Sequence, residues 1–178
     1  MDELGELAFR ELTDADEQQA IDAHHALLAD DFEFLPSWTE KGNWADYVYR
    51  MNAGRRGEHV PEGWVRSALF VAVDQGGWLL GRVSVRYALN SSLQHLGGHL
   101  GYGVLPEARR QGVAGALCRF GLDELSAAGV QRALITCAAG NAGSRATILR
   151  CGGVPDAQRP QVVDGDGTAQ LRFWVPTT

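Results

Sequence analysis

Apolar and polar positions alternate along several short runs of this chain and recur at helical spacing along others. Leu7-Ala-Phe9-Arg-Glu-Leu12 alternates and predicts a first strand. Thr13-Asp-Ala-Asp-Glu17 supplies an N-cap hydroxyl and early carboxylates, so a helix is expected from there to about Asp30. A loop through Pro36 follows. The large apolar groups of Trp44, Tyr47, Val48 and Met51 have helical spacing, with Gly54 as a stop, and the polar residues 54–64 read as a loop near an open face. Ser67–Val73 and Trp78–Tyr87 predict two strands joined by the turn Asp74-Gln-Gly76-Gly77. On the second strand Val83, Val85 and Tyr87 share one face, and Arg82, Ser84 and Arg86 share the other.

After a loop over 90–98, His99–Leu105 predicts a further strand, with His99, Gly101 and Gly103 on the face opposite Leu100, Tyr102 and Val104. Val113, Leu117, Phe120 and Leu125 predict a helix from about Gln111 to Ala127 packed on a sheet, ended by Gly129. A strand over 132–138, a helix over 141–151 and a closing hairpin of 161–163 with 169–175 complete the pattern. The hairpin turn Asp164-Gly-Asp-Gly167 begins like a calcium loop, but Val175 stands where the bidentate glutamate is needed, so a plain turn is the better reading. Strands, then a strand–helix–strand–helix unit, then a hairpin predict a mixed α/β sheet.

The chain has 178 residues, which suits one domain over 1–178 with a sizeable core. Hydrophobic residues at 45% and charged residues at 21% make an ordinary globular balance. The net charge of −6 argues against a nucleic-acid partner, which needs a basic face. Cys118, Cys137 and Cys151 have neither metal spacing nor an even disulfide framework, which favours a reducing, cytoplasmic setting. Met1-Asp-Glu-Leu-Gly-Glu lacks the features of a signal peptide, and no apolar run approaches the ~20 residues that span a bilayer. No membrane partner and no metal are expected. A homodimer is left open.

The candidate chemistry lies in Arg109-Arg110-Gln111-Gly112-Val113-Ala114-Gly115, a glycine-rich turn opening a helix. Such a turn exposes backbone N–H groups without intrahelical partners, at the positive end of a helix dipole, and so makes an anion site. Ala116 and Leu117 follow Gly115, so the Lys and Ser/Thr of a nucleotide-hydrolysing P-loop are missing. The Gly-x-Gly-x-x-Gly order of a dinucleotide site is also missing.

What remains is Arg-x-x-Gly-x-Ala, met by Arg109, Gly112 and Ala114. It resembles the pyrophosphate-binding motif of the GNAT superfamily of N-acetyltransferases. The flanking segments are similar too. Val104-Leu-Pro106-Glu107-Ala-Arg109 resembles the family's strand end and turn, and Ala133-Leu-Ile-Thr-Cys137 its fifth strand. Asn141-Ala-Gly-Ser144 through Arg150-Cys-Gly152 resembles the following helix. Arg86 to Asn90 and Leu93 to Tyr102 resemble one bacterial subgroup of uncharacterised predicted acetyltransferases.

The resemblance implies a mostly antiparallel sheet flanked by helices, with central strands that splay after Leu100 and before Ala139 to admit acetyl-coenzyme A. It implies cofactor contacts from Val104, Arg109 through Gly115, Asn141 and Ser144, with the Val104 N–H as oxyanion donor. His99 is the candidate base, and Arg86, Asn90 and Tyr102 are candidate acceptor contacts. The acceptor would be an amine of a small molecule or peptide. The family often carries a tyrosine acid seven residues after the asparagine. Ile148 stands there, which leaves the thiolate's proton donor unassigned and keeps a non-catalytic acyl-coenzyme A sensor as the alternative.

Overall fold

The structure, a computed structural model, describes residues 5–178, so Met1–Leu4 of the N-terminal reading lie outside the described residues. Strands β1 (Ala8–Glu11), β2 (Ser67–Val73), β3 (Leu79–Arg86), β4 (Leu100–Val104), β5 (Arg132–Ala138), β6 (Val154–Pro155) and β8 (Ala169–Pro176) form one sheet in the order β1-β2-β3-β4-β5-β8-β6. A short strand β7 (Gln161–Val163) also pairs with β8. The β4/β5 pair is parallel and the others are antiparallel, giving the mixed sheet that the sequence pattern predicts and the mostly antiparallel pairing that the family resemblance implies.

Strict alternation gives the sheet two cores. On one face Phe70, Val83, Val85, Leu100, Ile135 and Phe173 pack against helices α4 (Val113–Ala127) and α5 (Ala142–Arg150). On the other face Leu69, Val71 and Leu79 meet α1 (Glu17–Leu28), α2 (Trp44–Arg55) and the loop between them. The sequence places Gly54 as the stop of α2, yet the helix passes through it to Arg55. Thr13 is the N-cap of a 3-10 turn, Asp14–Asp16, that leads into α1, and its backbone N–H donates to the Asp16 carboxylate at 2.8 Å. Its hydroxyl donates to the Asp16 carboxylate, which Arg10 grips through both guanidinium nitrogens at 2.6 and 2.8 Å. Burial opposes ionisation of Asp16, but the hydrogen bonds from Arg10 and Thr13 prevail and hold its pKa below the ordinary value.

The 90–98 loop contains a helix that periodicity misses, α3 (Ser91–His95), too short to display a repeat. Asn90 caps it by accepting from Leu93 N–H at 2.9 Å. A buried ion pair anchors this loop to the sheet. Arg172 on β8 bonds Asp156 at 2.9 Å and donates to the carbonyls of Gln94 and His95. Between β7 and β8, Asp164 accepts the Thr168 N–H at 2.8 Å, confirming a hairpin turn.

Candidate active site

The β3 and β4 strands pair in register from Val85↔Leu100 to Gly81↔Val104. Arg86 N–H donates to the His99 carbonyl and Leu105 N–H to the Leu80 carbonyl. The odd-numbered residues of β4 therefore carry the ladder to β3, and the N–H groups of Tyr102 and Val104 point the other way. On that side β4 meets β5 only at Leu100↔Ile135, while β5 stays paired with β8 from Arg132 to Ala138. The two central strands thus splay beyond Leu100, and the Val104 N–H faces the gap.

At the wide end of the gap the chain turns into α4. Arg110 and Gly112 both have left-handed backbone, with φ of +63° and +88°. Gly112 is the N-cap, no side chain caps the helix, and the first backbone bond is from Ala116 N–H to the Gly112 carbonyl. The N–H groups of Val113, Ala114 and Gly115 are left without intrahelical partners. A Cβ on Gly112 would meet nothing within 4 Å, and one on Gly115 would touch only the Arg119 guanidinium at 3.5 Å. The backbone here is bare because space is left over it, as an anion cradle requires. The side chains of the turn do other work. Val113 is buried in the core, and Gln111 Nε2 donates to the Glu107 carbonyl at 2.8 Å. Arg109 Nε donates to the Val104 carbonyl at 3.1 Å and its Nη2 pairs with Asp30 at 2.5 Å. Arg109 therefore fastens the end of α1 to the end of β4 through Nε and Nη2, and its backbone N–H donates to the Pro106 carbonyl.

Across the gap, Asn141 caps α5 by accepting the Ser144 N–H at 2.9 Å. Tyr102 reaches over from β4, its hydroxyl 3.2 Å from the Ser144 hydroxyl. Burial pushes the Tyr102 phenol up, so it stays protonated. Tyr102 thus stands on the α4–α5 face, beside Ser144. Ile148 lies one turn beyond Ser144, fully buried in the core.

The opposite face carries His99, Gly101 and Gly103 on β4, in register with Arg86, Ser84 and Arg82 on β3. Gly103 is required there, because a Cβ would stand 2.4 Å from the Phe32 ring. Arg82 stacks on that same ring at 4.3 Å and donates to Phe34 O, Ser84 Oγ, Gly101 O and Glu33 O. It clamps the α1–α2 loop over β4. Sequence reasoning notes the polar face of β3 but misses Arg82, Phe32 and Asp30 as site-building residues. Their partners are distant in sequence, as with Asp30 and Arg109, 79 residues apart, and no local spacing marks them.

Two further candidates, Asn90 and His99, are held by hydrogen bonds within the fold. Asn90 spends both ends of its amide on structure, capping α3 and donating to the Gly63 carbonyl at 2.9 Å. His99 accepts the Leu134 N–H on Nδ1 at 2.9 Å, while its own backbone N–H donates to the Leu134 carbonyl. With that lone pair taken, the neutral ring carries its proton on Nε2 and has no free nitrogen to act as base. Burial, aided by Arg86, holds the imidazole below its ordinary pKa. His24 is held low in the same way, first by burial and then by His25, with Nδ1 accepting Leu35 N–H at 3.1 Å.

A pH dependence follows from these two rings. Their folded values lie below the unfolded value of 6.5, so the unfolded chain takes up protons first as pH falls. Stability is full above about pH 6.5 and declines through the folded values below it. Thermal unfolding midpoints are expected to fall from about pH 6.5 to 5, and His99→Asn, which keeps an acceptor near Nδ1, should flatten the slope. Midpoints that are flat across this range would contradict the assignment.

The comparisons with known proteins decide what this geometry belongs to. The Acetyltransferase (GNAT) domain matches residues 6–154. This chain belongs to the GNAT acetyltransferase family. It is accordingly an acyltransferase domain, and the splayed sheet is that family's fold. No curated protein matches the sequence. Solved structures do match in fold. RimJ from Mycobacterium smegmatis, in complex with CoA-disulfide, is 20% identical with a TM-score of 0.66, over 98% of this chain and 83% of its own. Spermidine N-acetyltransferase from Vibrio cholerae, with CoA and spermine, is 16% identical with a TM-score of 0.65, over 96% and 95%. The protein yncA from Salmonella typhimurium, with its cofactor acetyl-CoA, is 16% identical with a TM-score of 0.59, over 97% and 94%. Among the described residues no cluster of side chains is suited to a metal, and no helix is long and apolar enough to cross a membrane.

Proposed function

We propose that this chain, acting as one domain over residues 1–178, is an N-acetyltransferase that moves an acetyl group from acetyl-coenzyme A to an amine of a small molecule or peptide. The observation that carries the reading is the alignment of two sets of unpaired backbone donors, Val104 N–H in the gap and those of Val113 to Gly115 at its wide end. The cradle fits a pyrophosphate, since the space over Gly112 and Gly115 is open and Arg110 and Arg119 flank it without ion pairs among the described residues. When bound, acetyl-coenzyme A supplies the activated acyl carbon. The Val104 N–H offers a fixed donor to an oxygen gaining negative charge. Asn141 and Ser144 line the far wall of the gap. Holding donor and acceptor together in this way favours direct attack by the amine.

His99 enters as a positioning residue that closes the narrow end of the gap through Leu134, and the amine's proton leaves by water. Turnover of His99→Asn per folded molecule is expected to stay within about tenfold of the parent, where loss of a general base costs 10²–10⁴. The rising limb of its pH–rate profile should also persist. A drop of about 10²-fold together with loss of that limb would restore His99 as the base.

The test of the reading itself is incubation with acetyl-coenzyme A and a broad amine panel, following thiol release and acetylated product. Product formation supports the enzyme. Tight binding with no thiol release from any amine would favour the sensor instead.

A further inference from the structure

Among the described residues Arg10, Arg82 and Arg172, like Arg86 carried on strands, have their charge or their donors accounted for. Arg10 pairs with Asp16, and Arg172 with Asp156. Arg82 has no acid but spreads its donors over three carbonyls, a hydroxyl and the Phe32 ring. Arg86 is different. Only Nη1 is engaged, by the carbonyls of Gly97 at 3.3 Å and Gly98 at 3.2 Å. Nε and Nη2 have no hydrogen-bond partner among the described residues, and no carboxylate lies within ion-pair distance. Burial lowers its pKa with no acidic neighbour to offset it.

The surroundings of Arg86 leave that open edge usable. Gly101 lies beneath the guanidinium, its Cβ position 3.8 Å from Nη2, so β4 puts no side chain in the way. Ser84 is occupied by Arg82 and Gly101. His99 is neutral and bonded to Leu134. The nearby acids are directed elsewhere: Asp30 pairs with Arg109, and Glu33 is exposed on the loop. On the other flank of the 90–98 loop the same face of the sheet continues into a groove of about 840 Å³. There Arg132, Arg159 and Arg172 face a single acid, Asp156. A protein of net charge −6 thus keeps a locally cationic surface on the face opposite α4 and α5.

We propose that the Nε–Nη2 edge of Arg86 anchors a carboxylate of the acceptor, so that the amine acetylated belongs to an amino acid or a peptide with a carboxylate near its amine. This edge is the side of the guanidinium that pairs with both oxygens of a carboxylate at once. A polyamine would bring only like charge to it. The inference rests on the acetyltransferase reading for its reaction, but the binding contact stands apart from turnover.

Matched amine pairs differing only in the carboxylate test this on the intact chain: amino acids against their amides, and dipeptides against their C-terminal amides, with spermidine as the polyamine arm. In the parent, kcat/KM is expected to favour the carboxylate member by roughly 10- to 100-fold, the worth of a charged hydrogen-bonded contact. A preference confined to free amino acids identifies a small-molecule acceptor, and one confined to the dipeptides a peptide acceptor. Arg86→Gln should erase the preference through KM while coenzyme A affinity is unchanged, and Arg86→Lys should restore part of it. Calorimetry of the coenzyme A-loaded parent and of Arg86→Gln with an N-acetylated amino acid gives a readout without turnover. Arg86-dependent binding with no acetylation of any amine would overturn the enzymatic reading and leave this contact standing. Equal use of both members of each pair, or preference for spermidine, would overturn the contact and leave acetyl transfer standing.

Discussion

Gly112→Val is expected to lower affinity for coenzyme A by about 100-fold or more while the fold survives. Gly112 caps α4 at φ +88° with open space over its Cα. A side chain there meets no packing obstacle. Its cost is the left-handed backbone, roughly 1–2 kcal/mol and more for a β-branched residue. The turn relieves that strain by rotating, which swings the N–H groups of 112–115 out of convergence, and the valine itself fills the space a phosphate needs. The unfolding midpoint should therefore shift only modestly while binding collapses. Calorimetry showing parent-like affinity would remove the turn from the cofactor site.

Ile148→Ala should act through stability, with a loss of about 2–5 kcal/mol, the range for emptying a large aliphatic side chain from a core. Ile148 is 0% exposed, and Gly153 packs so closely on it that a Cβ at 153 would stand 2.6 Å from its Cγ2. The site cannot collapse readily onto the vacated volume, which puts the expected loss in the upper part of that range. Denaturant unfolding gives the stability, and turnover normalised to folded protein should stay within a few-fold. Turnover that collapses with unfolding unchanged would place Ile148 against the departing thiolate after all.

These two substitutions separate what a local pattern encodes from what it cannot. Alternation in 67–73, 78–87 and 99–105 sufficed to place the strands and to put His99, Gly101 and Gly103 on one face, because a side chain's face follows from its own backbone position alone. The turn 109–115 was legible for the same reason, since its chemistry resides in contiguous backbone N–H groups and small residues. The short helix Ser91–His95 was not, because five residues display no period and its cap, Asn90, also serves as a tie to Gly63.

The roles of side chains were the part that only tertiary structure decided. Sequence made His99 a base, Arg109 a phosphate contact and Tyr102 an acceptor contact. The fold brings Leu134 N–H to the first, Asp30 to the second and Ser144 to the third. Each partner lies between 35 and 79 residues away. A titratable or polar group takes its function from whichever donor, acceptor or charge occupies its few free positions, and packing across the sheet selects that neighbour. The sequence by itself determined the splayed α/β sheet and its bare anion turn. Only the folded chain decided which lone pairs and which guanidinium edge remain free for chemistry.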